Sequence, residues 1–198
     1  MSKGDRTRRR IIAEAAPLFN QKGFAGCSMQ DVMEATGLEK GGLYRHFQSK
    51  EELAAAVFRY SRDRVLQARS EGLDKVEGAG ARLKWYIHRF VETPGPVAGG
   101  CPIFNTAVDA DDGNPTLRKL VRGALLKWKR QIAGIIEEGV ERGEIRQEVR
   151  PGQMAESMIA ALEGGIVLSR MEGSRDPLRS VEEALRVVID AAAAPARS

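Results

Sequence analysis

Only two cysteines and two histidines occur in the 198 residues. Cys27 and Cys101 stand far apart, and neither belongs to a CxxC pair, which excludes a disulfide scaffold and a cysteine-rich zinc site. His46 has no second His, Cys or carboxylate at ligand spacing, so neither a metal nor a cofactor is expected. Long apolar runs are missing as well. The longest uncharged stretch, residues 93–108, is broken by prolines and glycines and cannot cross a bilayer as a helix. The basic start MSKGDRTRRR has no apolar segment behind it and does not read as a secretory signal, so a cytoplasmic protein with no membrane partner is expected. No Walker loop, GxSxG or HExxH appears, and Gly78-x-Gly80 lacks the third glycine of a dinucleotide loop. The acidic pairs Asp111-Asp112 and Glu137-Glu138 are adjacent rather than facing, so they do not form a general acid/base pair. The expectation is a protein that is not an enzyme.

What is present is a folding composition, 42% hydrophobic and 29% charged. Lys and Arg number 31 against 27 Asp and Glu, a net charge of +4. That excess is local. Residues 1–50 hold nine basic and five acidic side chains, and the remaining residues carry equal numbers of each. A charge asymmetry of this kind points to an anionic partner at one end.

Apolar residues recur at spacings of three and four with no run of period-two alternation, so the chain reads as all-α with about nine helices. The first is expected over about residues 7–22, ended by Gly23, with Pro17 bending it. Ser28, with Asp31 three residues on, caps a second helix that ends before Gly37. A short third covers about residues 40–47. Ser49 caps a fourth, with Glu52 reaching back. Further helices are expected over about residues 81–92, 102–110, 115–142, 151–172 and 177–193, several of them opened by proline.

Residues 28–47 form a helix, a glycine turn and a second helix, the layout of a helix-turn-helix DNA reader. Met29, Val32, Met33, Leu38, Leu43 and Phe47 can pack around the turn. The other face then carries Lys40, Gly41, Gly42, Arg45 and His46, whose N-terminal members would meet base edges. Ser28, Tyr44 and Lys50 flank that face and can contact phosphates, and Tyr44 can also share in the core. Arg6, Arg8, Arg9 and Arg10 could add contacts as a basic arm does.

The string GLEKGGLYRHFQSKEEL, preceded by RRRIIAEAAPLFNQKGFAGCSMQDVMEATG, resembles the signature of the TetR family of transcriptional regulators. The resemblance covers about residues 7–60. It implies a DNA-binding domain of three helices, here residues 1–50, and a helical effector-binding and dimerisation domain, residues 51–198. It implies contacts to DNA from Ser28, Lys40, Gly41, Tyr44, His46 and Lys50. Two positions depart from the common pattern, because Glu39 and Gly42 stand where many members carry a small hydroxyl residue. Base reading is therefore expected chiefly from Arg45 and Lys40. The implied function is a repressor, released from a near-palindromic double-stranded operator by a small-molecule effector and acting as a homodimer.

The resemblance also places the effector among the middle helices, where Trp85, Tyr86, His88, Phe90, Phe104, Asn105 and Trp128 are the pocket candidates. Cys101 precedes Pro102 at a helix start, where a thiol could sense oxidants or electrophiles; that reading and a small helical enzyme stay open as alternatives. A dimer seam is expected from Ala155, Ile159, Leu162 and Ile166 with Val181, Ala184, Leu185, Val188 and Ala192, unless these are core of one chain.

Overall fold

The computed structural model describes residues 2–110 and 113–195; Asp111 and Asp112 lie outside the described residues. It is all-α, with nine α-helices among the described residues: α1 (Lys3–Gly26), α2 (Met29–Thr36), α3 (Lys40–Tyr44), α4 (Lys50–Ser70), α5 (Ala79–Glu92), α6 (Pro102–Ala110), α7 (Pro115–Glu141), α8 (Pro151–Glu172) and α9 (Asp176–Ala192). A 3-10 turn, Leu73–Lys75, precedes α5.

Local chemistry accounts for most of the boundaries. Ser2 and Asp5 form a capping box that starts α1 at Lys3, a full turn before the apolar pattern begins. The basic run is therefore helical, not an extended arm. Gly23 ends the regular part of α1 with φ 73°, and one more turn follows it. The Glu52 N–H donates to Ser49 Oγ at 3.1 Å, while Glu52 Oε2 accepts from the Gln48 N–H, one residue earlier than expected. Asp176 is the first residue of α9, and Arg175 holds the cap position without a side-chain bond.

By contacts the chain divides into two compact units, Met1–Val65 with Gly95–Ala124, and Leu66–Pro94 with Leu125–Ser198. The division falls elsewhere than after residue 50, because Leu53, Val57 and Val97 join Ile11, Ala15, Cys27, Val32, Leu43 and Phe47 in one apolar core. Full burial of side chains of this size contributes about 1.5–3 kcal/mol each. Burial also pushes the Cys27 thiol above its ordinary value.

In the first unit α6 is stitched to α1. Asn105 Nδ2 lies within hydrogen-bond distance of three acceptors, Asn20 O, Asn20 Oδ1 and Gly99 O, at 2.8–3.0 Å. Asn20 Nδ2 donates in turn to the carbonyls of Ala98 and Gly100. Asp109 accepts from the Phe24 N–H beside the Gly23 kink.

In the second unit α9 packs on α5 and α8. Gly165 allows the approach of α9, since a Cβ there would stand 3.1 Å from Leu178 and 3.2 Å from Val181. This packing corrects the expected seam. Ala155, Ile159, Leu162, Leu185 and Ala192 are buried inside the chain, and Ile166 and Val181 are half-buried. Of the expected seam Ala184 and Val188 are exposed, and the further exposed large apolar positions of these two helices are Val167, Leu168 and Met171 on α8 and Val187 on α9. With Gly164, Ala184 and Ala191, also exposed, each helix presents an i, i+3, i+4, i+7 stripe.

Candidate nucleic-acid interface

The reader element is α2, a turn and α3. Gly37 takes the left-handed conformation, φ 62°, that lets the chain reverse between the helices, and its N–H donates to the Met33 carbonyl. Leu43 and Phe47 are buried, which fixes the inner face of α3. Glu39 precedes α3 and supplies no side-chain cap, as its departure from the family pattern suggested.

The outer face brings Lys40, Gly41, Tyr44 and Arg45 together, all exposed. Tyr44 is 39% exposed, so its ring belongs to the surface more than to the core. Among the described residues neither Lys40 nor Arg45 has an ion-pair partner, which leaves both charges for an outside anion. Gly41 is open, with nothing within 4 Å of a would-be Cβ, so bare backbone is presented there. Gly42 differs: its would-be Cβ stands 3.6 Å from Leu38, which turns it towards the helix-turn-helix interior. His46 is half-buried as well.

The flanking candidates are engaged locally. Ser28 Oγ accepts from the Asp31 N–H at 3.0 Å, and the Ser28 N–H and O–H both point to Asp31 Oδ2, at 2.7 and 2.6 Å. Lys22 reaches the same carboxylate at 2.5 Å. Lys22 first, then the Ser28 hydroxyl and N–H, hold the Asp31 carboxyl well below the usual range. Lys50 Nζ lies 4.5 Å above the Phe24 ring and 3.4 Å from the Ala25 carbonyl, so it sits against the end of α1.

Two of the N-terminal arginines have structural partners that sequence spacing did not indicate. The Arg8 guanidinium lies 4.3 Å above the Phe47 ring and 3.3 Å from Glu52, joining α1 to the residues that follow α3. Arg10 donates to the Thr36 carbonyl at the end of α2. Arg6 and Arg9 are exposed.

The pocket candidates separate. Phe104 and Asn105 belong to the first compact unit, where Asn105 holds α6 to α1. Trp85, Tyr86, His88, Phe90 and Trp128 belong to the second. There Phe90 and Trp128 stack with centroids 6.1 Å apart, and the Arg69 guanidinium lies 3.8 Å from the Phe90 centroid and 4.8 Å from that of Trp128. Glu163 Oε1 is 3.8 Å from Arg69 Nη2, with the side chains 3% and 11% exposed. Tyr86 is buried and Trp85 half-buried, whereas His88 is exposed, its Nδ1 3.1 Å from Glu182. Sequence reasoning did not single out Arg69 or Glu163, since a charged residue on a helix is ordinarily solvated. The available signal was Glu163's place directly after Leu162 in an apolar stripe. Cys101 is 3% exposed, so a thiol reagent would have to wait for the fold to open. Among the described residues no group of three or more His, Cys, Asp or Glu is placed to hold a metal, and no helix is long and apolar enough to cross a membrane.

Two family models match the chain. One, bacterial regulatory proteins of the tetR family, matches residues 11–57, and the other, the tetracyclin repressor-like C-terminal domain, matches residues 79–185. A TetR transcriptional regulator from Chloroflexus aurantiacus J-10-FL is similar at 41% identity, with 99% of this chain and 100% of that one covered and a TM-score of 0.93. A TetR-family regulator from Cytophaga hutchinsonii is 36% identical, with 100% and 99% covered and a TM-score of 0.90. The HTH-type transcriptional repressor DhaR of Mycobacterium sp. (strain GP1) is 28% identical over 185 residues, 93% of this chain and 91% of that protein.

Proposed function

The chain belongs to the TetR family and is a DNA-binding transcription regulator, and from that premise we propose that it is a repressor released from its operator by a small molecule. The helix-turn-helix within residues 1–50 reads the DNA, its core completed by Leu53, Val57 and Val97, and the helices beyond residue 50 bind the effector and dimerise. The observation that carries the reading is the exposed face of α3, where Lys40 and Arg45, without ion-pair partners among the described residues, stand beside the bare backbone of Gly41. A polyanion supplies what these cations lack, and a short helix with exposed basic side chains fits the major groove. Arg45 reads a guanine edge with two hydrogen bonds, and Lys40, Tyr44 and the half-buried His46 complete the contacts. Gly42 packs against Leu38, and Ser28 and Lys50 support the element through α2 and α1 while lying near phosphate. The protein works in the cytoplasm, where its DNA lies.

The exposed stripes of α8 and α9 are the homodimer seam. Two copies joined there bury Val167, Leu168, Met171, Val187 and Val188, which otherwise form an apolar surface in water. The dimer's two-fold axis calls for a near-palindromic operator. Release follows from differential affinity: a 100-fold loss of operator binding needs about 2.8 kcal/mol of preference of the ligand for the released form.

The test is selection of bound duplexes from a random DNA pool by the purified protein. A near-palindromic consensus with two half-sites is expected. Recovery of sequences without a shared motif would reject specific recognition, and selection of a single half-site would reject the dimer.

A further inference from the structure

We propose that Arg69 and Trp128 anchor a site for a compact carboxylate, the chemical class of the effector. This rests on the ligand-responsive reading above and names its ligand chemistry. Trp128 is fully buried, and among the described residues its Nε1–H has no hydrogen-bond acceptor. Arg69 Nη1, buried in the same cluster, has none among them either. The two side chains touch, with the guanidinium 4.8 Å from the indole centroid. Folded interiors rarely leave a buried donor unmatched, and two on neighbouring side chains mark a place where an acceptor is supplied from outside. Glu163 does not fill that role for Nη1. It stands 3.8 Å from Nη2, at ion-pair distance but beyond a hydrogen bond.

The charge of the ligand follows from the rings. The faces of Phe90 and Trp128 would suit an ammonium ligand, but Arg69 already lies 3.8 Å from the Phe90 centroid. A second cation there would meet the guanidinium. A carboxylate instead gives acceptor oxygens to a guanidinium and an indole N–H together, and charge-assisted bonds to Arg are the stronger kind. All four residues lie within one compact unit, so the cluster is a property of that unit alone.

The experiment uses the full-length ¹⁵N-labelled protein, whose two tryptophans give two indole N–H resonances. The Trp128 signal is assigned by its loss in Trp128→Phe. Benzoate, 3-phenylpropionate and octanoate are titrated against their methyl esters and the matching amines. At least one carboxylate should move the Trp128 resonance saturably, with its ester and amine about tenfold weaker or worse. Thermal shifts should agree. The stabilisation by that carboxylate should fall in Trp128→Phe, which keeps a ring but no donor, and rise in Glu163→Gln, which removes a competing negative charge. No saturable shift with any carboxylate, an amine or ester that binds as well, or an undiminished response in Trp128→Phe overturns the site. Operator binding is measured in parallel. A carboxylate that moves Trp128 without weakening operator binding keeps the site and rejects release; weakened operator binding with Trp128 unmoved rejects the site and keeps release.

Discussion

Arg45 and Arg69 carry the same guanidinium into opposite settings. Arg45 follows α3 in the open, beside Lys40, and among the described residues has no ion-pair partner. Arg69 ends α4 at 11% exposure, over two rings and beside Glu163. An exposed, unpaired cation does little for the fold, because water solvates it equally well in the unfolded chain. Its free energy appears only when a polyanion arrives. A buried cation is tied to the folded state, because its neighbours are charged and aromatic groups that water no longer reaches. The two regions should therefore respond differently to the loss of one charge, the first in binding and the second in stability.

The largest expected effect lies on the buried side. Arg69→Met removes the cation beside the Glu163 carboxylate in a nearly closed environment, and breaking a buried pair in this way costs about 3–5 kcal/mol. Urea unfolding at neutral pH measures it. The double variant Arg69→Met with Glu163→Leu should recover much of the loss, since it removes both charges and fills the space with apolar groups. A single variant as stable as the wild type would show that the pair is solvated, and the contrast with Arg45 would collapse.

Arg45→Ala should do the reverse. Thermal stability stays within about 0.5 kcal/mol, as for surface substitutions generally. Discrimination at one base pair of the selected operator should fall by about 1–3 kcal/mol, the worth of a bidentate contact to guanine. Competition binding at matched salt, with operator variants changed one position at a time, isolates that base pair. Uniform weakening with the sequence preference intact would demote Arg45 to a phosphate contact.

The open region was the more legible in the sequence. Its turn depends on local chemistry: Ser28 with Asp31, the positive φ of Gly37, and the burial of Leu43 and Phe47 all act within twenty residues. The starts of α6, α7 and α8 were equally plain, each marked by a proline at the first turn. What escaped were pairings at long range. Arg8 looked like part of a basic arm, yet its partners Phe47 and Glu52 lie across the domain. On α8 two apolar stripes share one helix, and periodicity locates both without assigning either to the core or to the surface. Nothing in the local sequence pairs Glu163 with Arg69, because Arg69 sits on another helix. Helical spacing reports which residues share a face, and only packing reports what that face meets.

A smaller effect separates support of the reader from contact with DNA. Ser28→Ala removes the cap of α2 and should cost about 1 kcal/mol of stability. If Ser28 also touched phosphate, operator binding would weaken further after correction for the folded fraction. The acid response of the same cap is set by Asp31, whose carboxyl Lys22 and Ser28 hold below its ordinary value. A lowered value means that its contribution is complete above about pH 4 and is lost only as the pH falls through the lowered value. The stability difference between the wild type and Asp31→Asn should therefore be level from neutral pH to about pH 5 and close only in strong acid. A difference that vanished near pH 6 would show that another group governs the cap.

Lys40→Ala gives the finest distinction, because it tests what kind of charge the open region holds. Lys40 is exposed and among the described residues has no ion-pair partner, so its removal should leave the unfolding curve unchanged. A lysine that neutralises one phosphate displaces about one counterion, and the slope of log K against log salt should become shallower by about 0.9. Its effect should be the same on operator and on random duplex, unlike that of Arg45, because a phosphate looks the same in every sequence. If Lys40→Ala instead changes the preferred sequence and leaves the salt slope alone, the lysine reads a base edge and the two cations of α3 share one role. If it does neither, the electrostatic contact with DNA begins at Arg45, and Arg6 and Arg9, exposed on α1, are the next cations to remove.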